Sequence, residues 1–234
     1  MAARPRPAAR DPRSPSARDG LGPGPARRGP PRTRCRARIG PATSLLLAAA
    51  ALAAAACHAP LPGPERAWRE QRERDVRAAL PVAAQARFRG LRFFPWDPEM
   101  RFDAALEPVV PPEPLEIAAS DGRQRPAHRV GRLRLRLPGG VAVLAVYQLD
   151  DMRQSYPDNL FLPFRDAGAG SVTYGAGRYV DVERIAGGLV RVDFNRAYNP
   201  DCAYGIAGQC PITPAENTLA FAVRAGEAMP PGHG

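Results

Sequence analysis

The stretch RLRLRLPGGVAVLAVYQL, residues 132–149, decides the fold. Leu133, Leu135 and Leu137 alternate with Arg132, Arg134 and Arg136. A period of two puts leucines on one face of a strand and arginines on the other. Pro138, Gly139 and Gly140 then turn the chain. Residues 141–149 return with apolar side chains on both faces, the pattern of a strand covered from two sides. Upstream, Met100, Phe102, Ala104 and Leu106 alternate with charged and small residues. Downstream, residues 160–164, 171–174, 177–183, 189–194 and 219–224 read as further short strands. Gly168 and Gly170, then Gly187 and Gly188, supply turns. The expected fold is mainly β: an antiparallel sandwich or barrel-like sheet of about nine strands. One N-terminal helix is expected over residues 65–80. Trp68, Val76, Ala79 and Leu80 lie on one side of it, and Pro81 ends it. Its mixed Arg and Glu read as a solvated face.

The chain's charge is unevenly spread. Residues 1–56 hold 11 Arg and 2 Asp, a balance of +9. The remaining 22 Arg meet 21 acids, a balance of +1, which together give the formal +10. A basic chain often signals a nucleic-acid partner. Here the excess sits in a Pro-, Gly- and Arg-rich leader, so no nucleic-acid partner is expected. Residues 42–56 follow, uncharged and mostly Ala, with Leu45, Leu46, Leu47 and Leu52. A positive region, an apolar run and small residues before Cys57 compose a secretory signal. Cys57 is the candidate lipidation site of a bacterial lipoprotein, whose acyl chains would be its membrane partner. Ordinary cleavage after Ala56 is the alternative, and a permanent span is disfavoured by the short apolar run. The expected location is the cell envelope, lipid-anchored, and His58 in place of Asp favours the outer membrane. The domain plan is thus a leader over 1–56, a tether over 57–64, one β-rich domain over 65–229 and a tail over 230–234.

The run DFNRAYNPDCAYGIAGQCPITPAEN, residues 193–217, is long, polar and aperiodic, which marks a built loop. Asp193, Asn195, Asn199, Glu216 and Asn217 form a candidate ligand-binding cluster with oxygen donors. The plainer reading is turn chemistry, in which Asn and Asp bond their own backbone. Arg165, Asp166, Tyr174, Arg178 and Tyr179 form a second candidate group, with Tyr198 among the aromatics that suit stacking. Arg178 could fork onto an acidic ligand or onto an internal carboxylate. Cys202 and Cys210 are a candidate disulfide, because an exported protein meets an oxidising compartment. Zinc and free thiols are the alternatives, and the few histidines make a metal site unexpected. No cofactor is expected.

The segments FRGLRFFP (residues 88–95), FLPFRDAGAGSVTYGAGRYVDVE (161–183), the polar run and AVRAGE (222–227) resemble the bacterial family called domain of unknown function 1684. The resemblance spans roughly residues 68–228. It implies no activity; many relatives resemble exported lipoproteins, which agrees with Cys57. The chain lacks a nucleophile elbow, a Gly-rich phosphate loop and a zinc-protease motif. The leading expectation is a protein that binds a ligand or envelope component at the polar loop. A carboxylate- or metal-dependent hydrolase using Asp193 and Glu216, and a structural envelope protein, are the alternatives.

Overall fold

The computed structural model describes residues 60–232. The leader and Cys57 lie outside the described residues. Helix α1 (Gly63–Ala79) has proline in its first turn and ends before Pro81, as the sequence dictates. A single turn, α2 (Val82–Gln85), follows.

The rest is built on one antiparallel sheet of seven strands. They are β1 (Arg101–Ala105), β2 (Glu107–Ala118), β3 (Gln124–Leu137), β4 (Gly140–Leu149), β5 (Leu160–Phe164), β6 (Arg178–Arg184) and β7 (Leu189–Asp193). Their order is β1-β7-β6-β5-β4-β3-β2. The sheet curls into a half-barrel, so that β1 also approaches β3. A short helix, α3 (Asp150–Arg153), leads from β4 toward β5. The hairpin reading holds residue by residue: Leu137 pairs with Gly140 and Leu133 with Leu144.

The expected count of nine strands is corrected to seven. Residues 171–174 form turns, with Gly168 O accepting from the amides of Ser171, Val172 and Thr173. Residues 219–224 make no ladder, because other groups take their carbonyls. Phe221 O accepts from Ala167 N at 3.1 Å, and Val223 O accepts from the Arg178 guanidinium at 2.7 Å. One strand was also unforeseen. Pro108, Pro111, Pro112 and Pro114 hide β2, yet β2 is an edge strand, where a missing N–H costs no ladder bond.

The inner face of the curl is the larger core. Leu133, Leu135, Leu144, Val146, Leu162, Phe164, Val180 and Val192 meet there, closed by Met100, Phe194, Leu219 and Val223. The outer face carries a second cluster of Ile117, Ala127, Ala145, Tyr147, Leu149, Phe161 and Tyr179. Residues 198–217 cross this outer face as a strap. Tyr198 exchanges backbone bonds of 2.9 Å with Tyr179 of β6. Farther on, Ile212 N donates to Ala118 O of β2 at 2.7 Å.

Helix α1 is less solvated than its composition implies. Glu65 is buried and accepts from Arg69 (3.3 Å) and from Arg196 (3.1 Å). Arg72 donates to Glu227 (3.1 Å) and to the Asn199 carbonyl (2.9 Å). Its charged residues therefore attach it to the domain.

Candidate functional site

The polar residues singled out above first hold the backbone. Arg178 is buried and forks in two directions. Its Nη2 donates to Asp166 Oδ2 at 2.6 Å and to Val223 O at 2.7 Å. Its Nη1 donates to the carbonyls of Ala225 (2.5 Å) and Glu227 (2.8 Å). Burial pulls this guanidinium below its usual value, and Asp166 opposes that pull. Asp166 Oδ1 accepts in addition from Gly168 N (2.6 Å) and Thr173 Oγ1 (3.0 Å). Gly177, at φ 100°, keeps this corner tight. A Cβ there would stand 2.7 Å from the Phe164 carbonyl oxygen.

Asn217 fills a gap in the sheet. Pro163, in β5, has no N–H to offer β4, and β4 pairs with β5 only through Tyr147 and Phe161. The buried Asn217 carboxamide takes the vacant place. It accepts from Ala145 N (2.8 Å) and donates to Ala145 O (2.9 Å) and Pro163 O (2.7 Å). Asn195 likewise bonds Asp97 N (2.9 Å) and Asp97 O (2.8 Å), and its amide donates to Asp193 (3.0 Å). Asn199 Nδ2 donates to Ala228 O (2.9 Å) and to Tyr204 Oη (3.0 Å). Tyr204 in turn donates to the buried Glu227 at 2.5 Å. Arg165, exposed, donates to Gly175 O at 2.8 Å. Glu216 accepts from Tyr147 Oη (2.5 Å) and Arg129 (2.6 Å). Thus Asp193 and Asn195 share one local network, while Arg178 and Glu216 serve two others.

A different set of residues forms a cleft. It lies beside the strap on the outer face, with a volume of about 600 Å³. Tyr179 and Tyr198, both foreseen, line it together with Phe161, Tyr156, Met152 and Leu149. The rings of Phe161 and Tyr179 meet edge to face at 4.8 Å, and those of Tyr179 and Tyr198 at 5.7 Å. Tyr179 Oη donates to Pro211 O, which fixes the strap above its ring. Asp181 supplies the polar centre. Its Oδ1 accepts from Tyr198 Oη at 3.2 Å and from Asn159 Nδ2 at 3.5 Å. Asp181 keeps solvent access, yet the surrounding cleft walls desolvate it and raise its carboxyl. Arg125 lines the rim and is committed to Asp151 (2.9 and 3.1 Å) and Gln209 O (3.0 Å). A smaller pocket of about 240 Å³ shares Asp181 and Tyr198 and adds Trp68, Arg101, Glu183 and Asp193.

Sequence reading missed Asp181, Asn159 and Arg125. A signal for Asp181 existed: in residues 178–182, Val180 and Val182 face the core, so Asp181 shares the face of Tyr179. That alternation reads as ordinary solvent exposure until the strap is seen to cross it.

The expected disulfide is corrected: Cys202 and Cys210 are free thiols. They remain neighbours. Cys210 Sγ accepts from Cys202 N at 3.3 Å and from the Cys202 thiol. These bonds lower the Cys210 thiol and raise that of Cys202. Tyr174 lies against Cys202, and Cys210 borders the cleft. Among the described residues, no three His, Cys, Asp or Glu converge to hold a metal ion. Among them too, no helix is long and apolar enough to cross a membrane.

The model of a family described as "Protein of unknown function (DUF1684)" matches residues 86–228. The chain is also similar to the solution NMR structure of an uncharacterized protein from gene locus rrnAC0354 of Haloarcula marismortui. The two are 31% identical, with a TM-score of 0.53, over 70% of this chain and 91% of that one. No curated protein matches.

Proposed function

Because the chain belongs to the DUF1684 family, a family of unknown function, we propose its role from the site it builds: an exported, lipid-anchored envelope protein that binds a small ligand or envelope component in the cleft beside the strap. The observation that carries this reading is the cleft itself. A concavity of about 600 Å³, walled by tyrosines and apolar side chains around a few polar groups, has the make-up of a small-molecule site. The polar residues described above support it. They fix the strap, and the strap forms one wall. The anchor rests on the apolar run before Cys57 and on the small residues at 54–56.

A hydrolase draws on one observation, the raised carboxyl of Asp181. The cleft's other carboxylate, Asp201, lies 3.8 Å from Arg72. The acids first named for catalysis, Asp193 and Glu216, serve Asn195 and Tyr147. Binding is therefore the better-supported role.

A thermal-shift screen of the purified protein against small metabolites tests the reading. A ligand of the native state raises Tm with concentration. The shift disappears in Tyr198→Ala if the cleft is the site. A shift that survives Tyr198→Ala places binding elsewhere and overturns the assignment.

A further inference from the structure

We infer that the cleft selects an organic cation, a protonated amine or quaternary ammonium carried on an apolar or aromatic body. This rests on the ligand-binding reading above and specifies its chemistry. Asp181 is the decisive residue. Among the described residues, no Arg or His nitrogen lies within ion-pair distance of its carboxylate, and the chain has no lysine. Its hydrogen-bond partners are neutral, the Tyr198 hydroxyl and the Asn159 amide. This separates it from Asp103, Asp151 and Asp166, which are all paired with arginine.

The cleft's cation is already spent. Arg125 is neutralised by Asp151 and tied to the Gln209 carbonyl. Arg72, which does not line the cleft, stands over the Tyr198 ring (5.0 Å) and is paired with Glu227 and Asp201. With Asp181 and Asp201 on the lining, an entering anion meets repulsion without a free partner. A hard metal ion would want several oxygen donors, and among the described residues Asp181 belongs to no group of three His, Cys, Asp or Glu placed to hold one. A soft monovalent cation suits one carboxylate among aromatic rings. Its charge faces Asp181, and its alkyl groups lie against Tyr198, Tyr156 and Met152, where ring faces attract positive charge.

Calorimetric titration of the full chain at low ionic strength provides the test, with three probes sharing one aromatic body. These are benzyltrimethylammonium, benzyl alcohol and benzoate. The expected result is binding of the cation, with both others weaker by about tenfold or more, the size of one charged contact. Asp181→Asn keeps the shape and removes the charge, so it should erase the preference while Tm in the absence of ligand is unchanged or higher. The wild-type pH profile, set against that of Asp181→Asn, gives a second readout. Cation affinity rises as Asp181 ionises and fades in acid, whereas benzyl alcohol affinity stays level. Tyr198, Asn159 and, at longer range, Arg72 act on Asp181 and do not titrate in that window. Asp201 and Cys210 share the cleft, and Glu183, Asp193, Arg101, Arg191 and Arg196 line the adjoining pocket, so the part of the profile that Asp181→Asn retains belongs to them. Equal or tighter binding of benzyl alcohol or benzoate would overturn the inference and leave the ligand cleft standing. Silence from all three probes at millimolar concentration, alongside a silent metabolite screen, would overturn both.

Discussion

A single carboxamide stands where a proline interrupts the sheet. Asn217 satisfies both backbone groups of Ala145 and the carbonyl of Pro163 in a fully buried position. Asn217→Ala would orphan these groups, at about 1–3 kcal/mol for a buried group left unpaired. Urea unfolding should show a loss of about 3 kcal/mol, with Asn217→Asp worse, since a carboxylate cannot donate to two carbonyls. Glu216, the residue before it, answers to pH. Burial alone would raise its carboxyl, but the hydrogen bonds from Tyr147 and Arg129 together hold it below its usual value. A depressed folded value stabilises above the unfolded one, and that stability is lost as pH falls through the folded one. Glu216→Gln should therefore flatten the acid limb of the stability profile and leave its slope near neutrality unchanged. About one-third of the Glu216 side chain is exposed, so salt should shrink the difference. Asp181 has the opposite sign: its raised value favours the folded state in acid, and Asp181→Asn should raise Tm at pH 8 more than at pH 5.

Among the elements, β2 and β3 show what alternation reveals and what it hides. The leucines of β3 announced their own strand and its partner β4. The prolines of β2 concealed a strand that needs few donors. Near the bulge of β3 the two meet closely at Gly131, where a Cβ would lie 2.7 Å from the Glu107 carbonyl oxygen and 2.8 Å from Leu106. Gly131→Val should cost about 1–3 kcal/mol, as overpacking does, and thermal unfolding measures it. The strap was legible as important and illegible in purpose. Asn195, Asn199 and Asn217 have the composition of a binding loop, but their partners are carbonyls and amides distant in sequence. No local pattern encodes such partners. The cleft escaped notice for the same reason: Asn159, Asp181 and Tyr198 come from three separate segments, and only the crossing of the strap brings them together.

At the scale of the molecule, charge divides at residue 57. The leader holds +9 of the formal +10. The uncleaved precursor should bind a cation exchanger at neutral pH, and protein beginning at Cys57 should pass through; equal retention would show that the leader is kept. Cys57→Ser should abolish incorporation of labelled fatty acid without changing the Tm of the folded domain. The helix is bound to that domain in part by ion pairs, Glu65 to Arg196 and Arg72 to Glu227. Removing Arg72 strands the buried Glu227, typically at about 3–5 kcal/mol, whereas Arg196 is 42% exposed and losing Glu65 leaves it in water at a smaller cost.

Arg178 lies at the start of β6, and three of its four acceptors arrive 45, 47 and 49 residues later. While the chain is being made, β6 emerges carrying a bare guanidinium that only Asp166 can meet. The sheet cannot seal around it until residues 223–227 have left the ribosome. The domain is thus obliged to mature after translation of its strands, an interval in which the chain is still threadable, as the export proposed above would require.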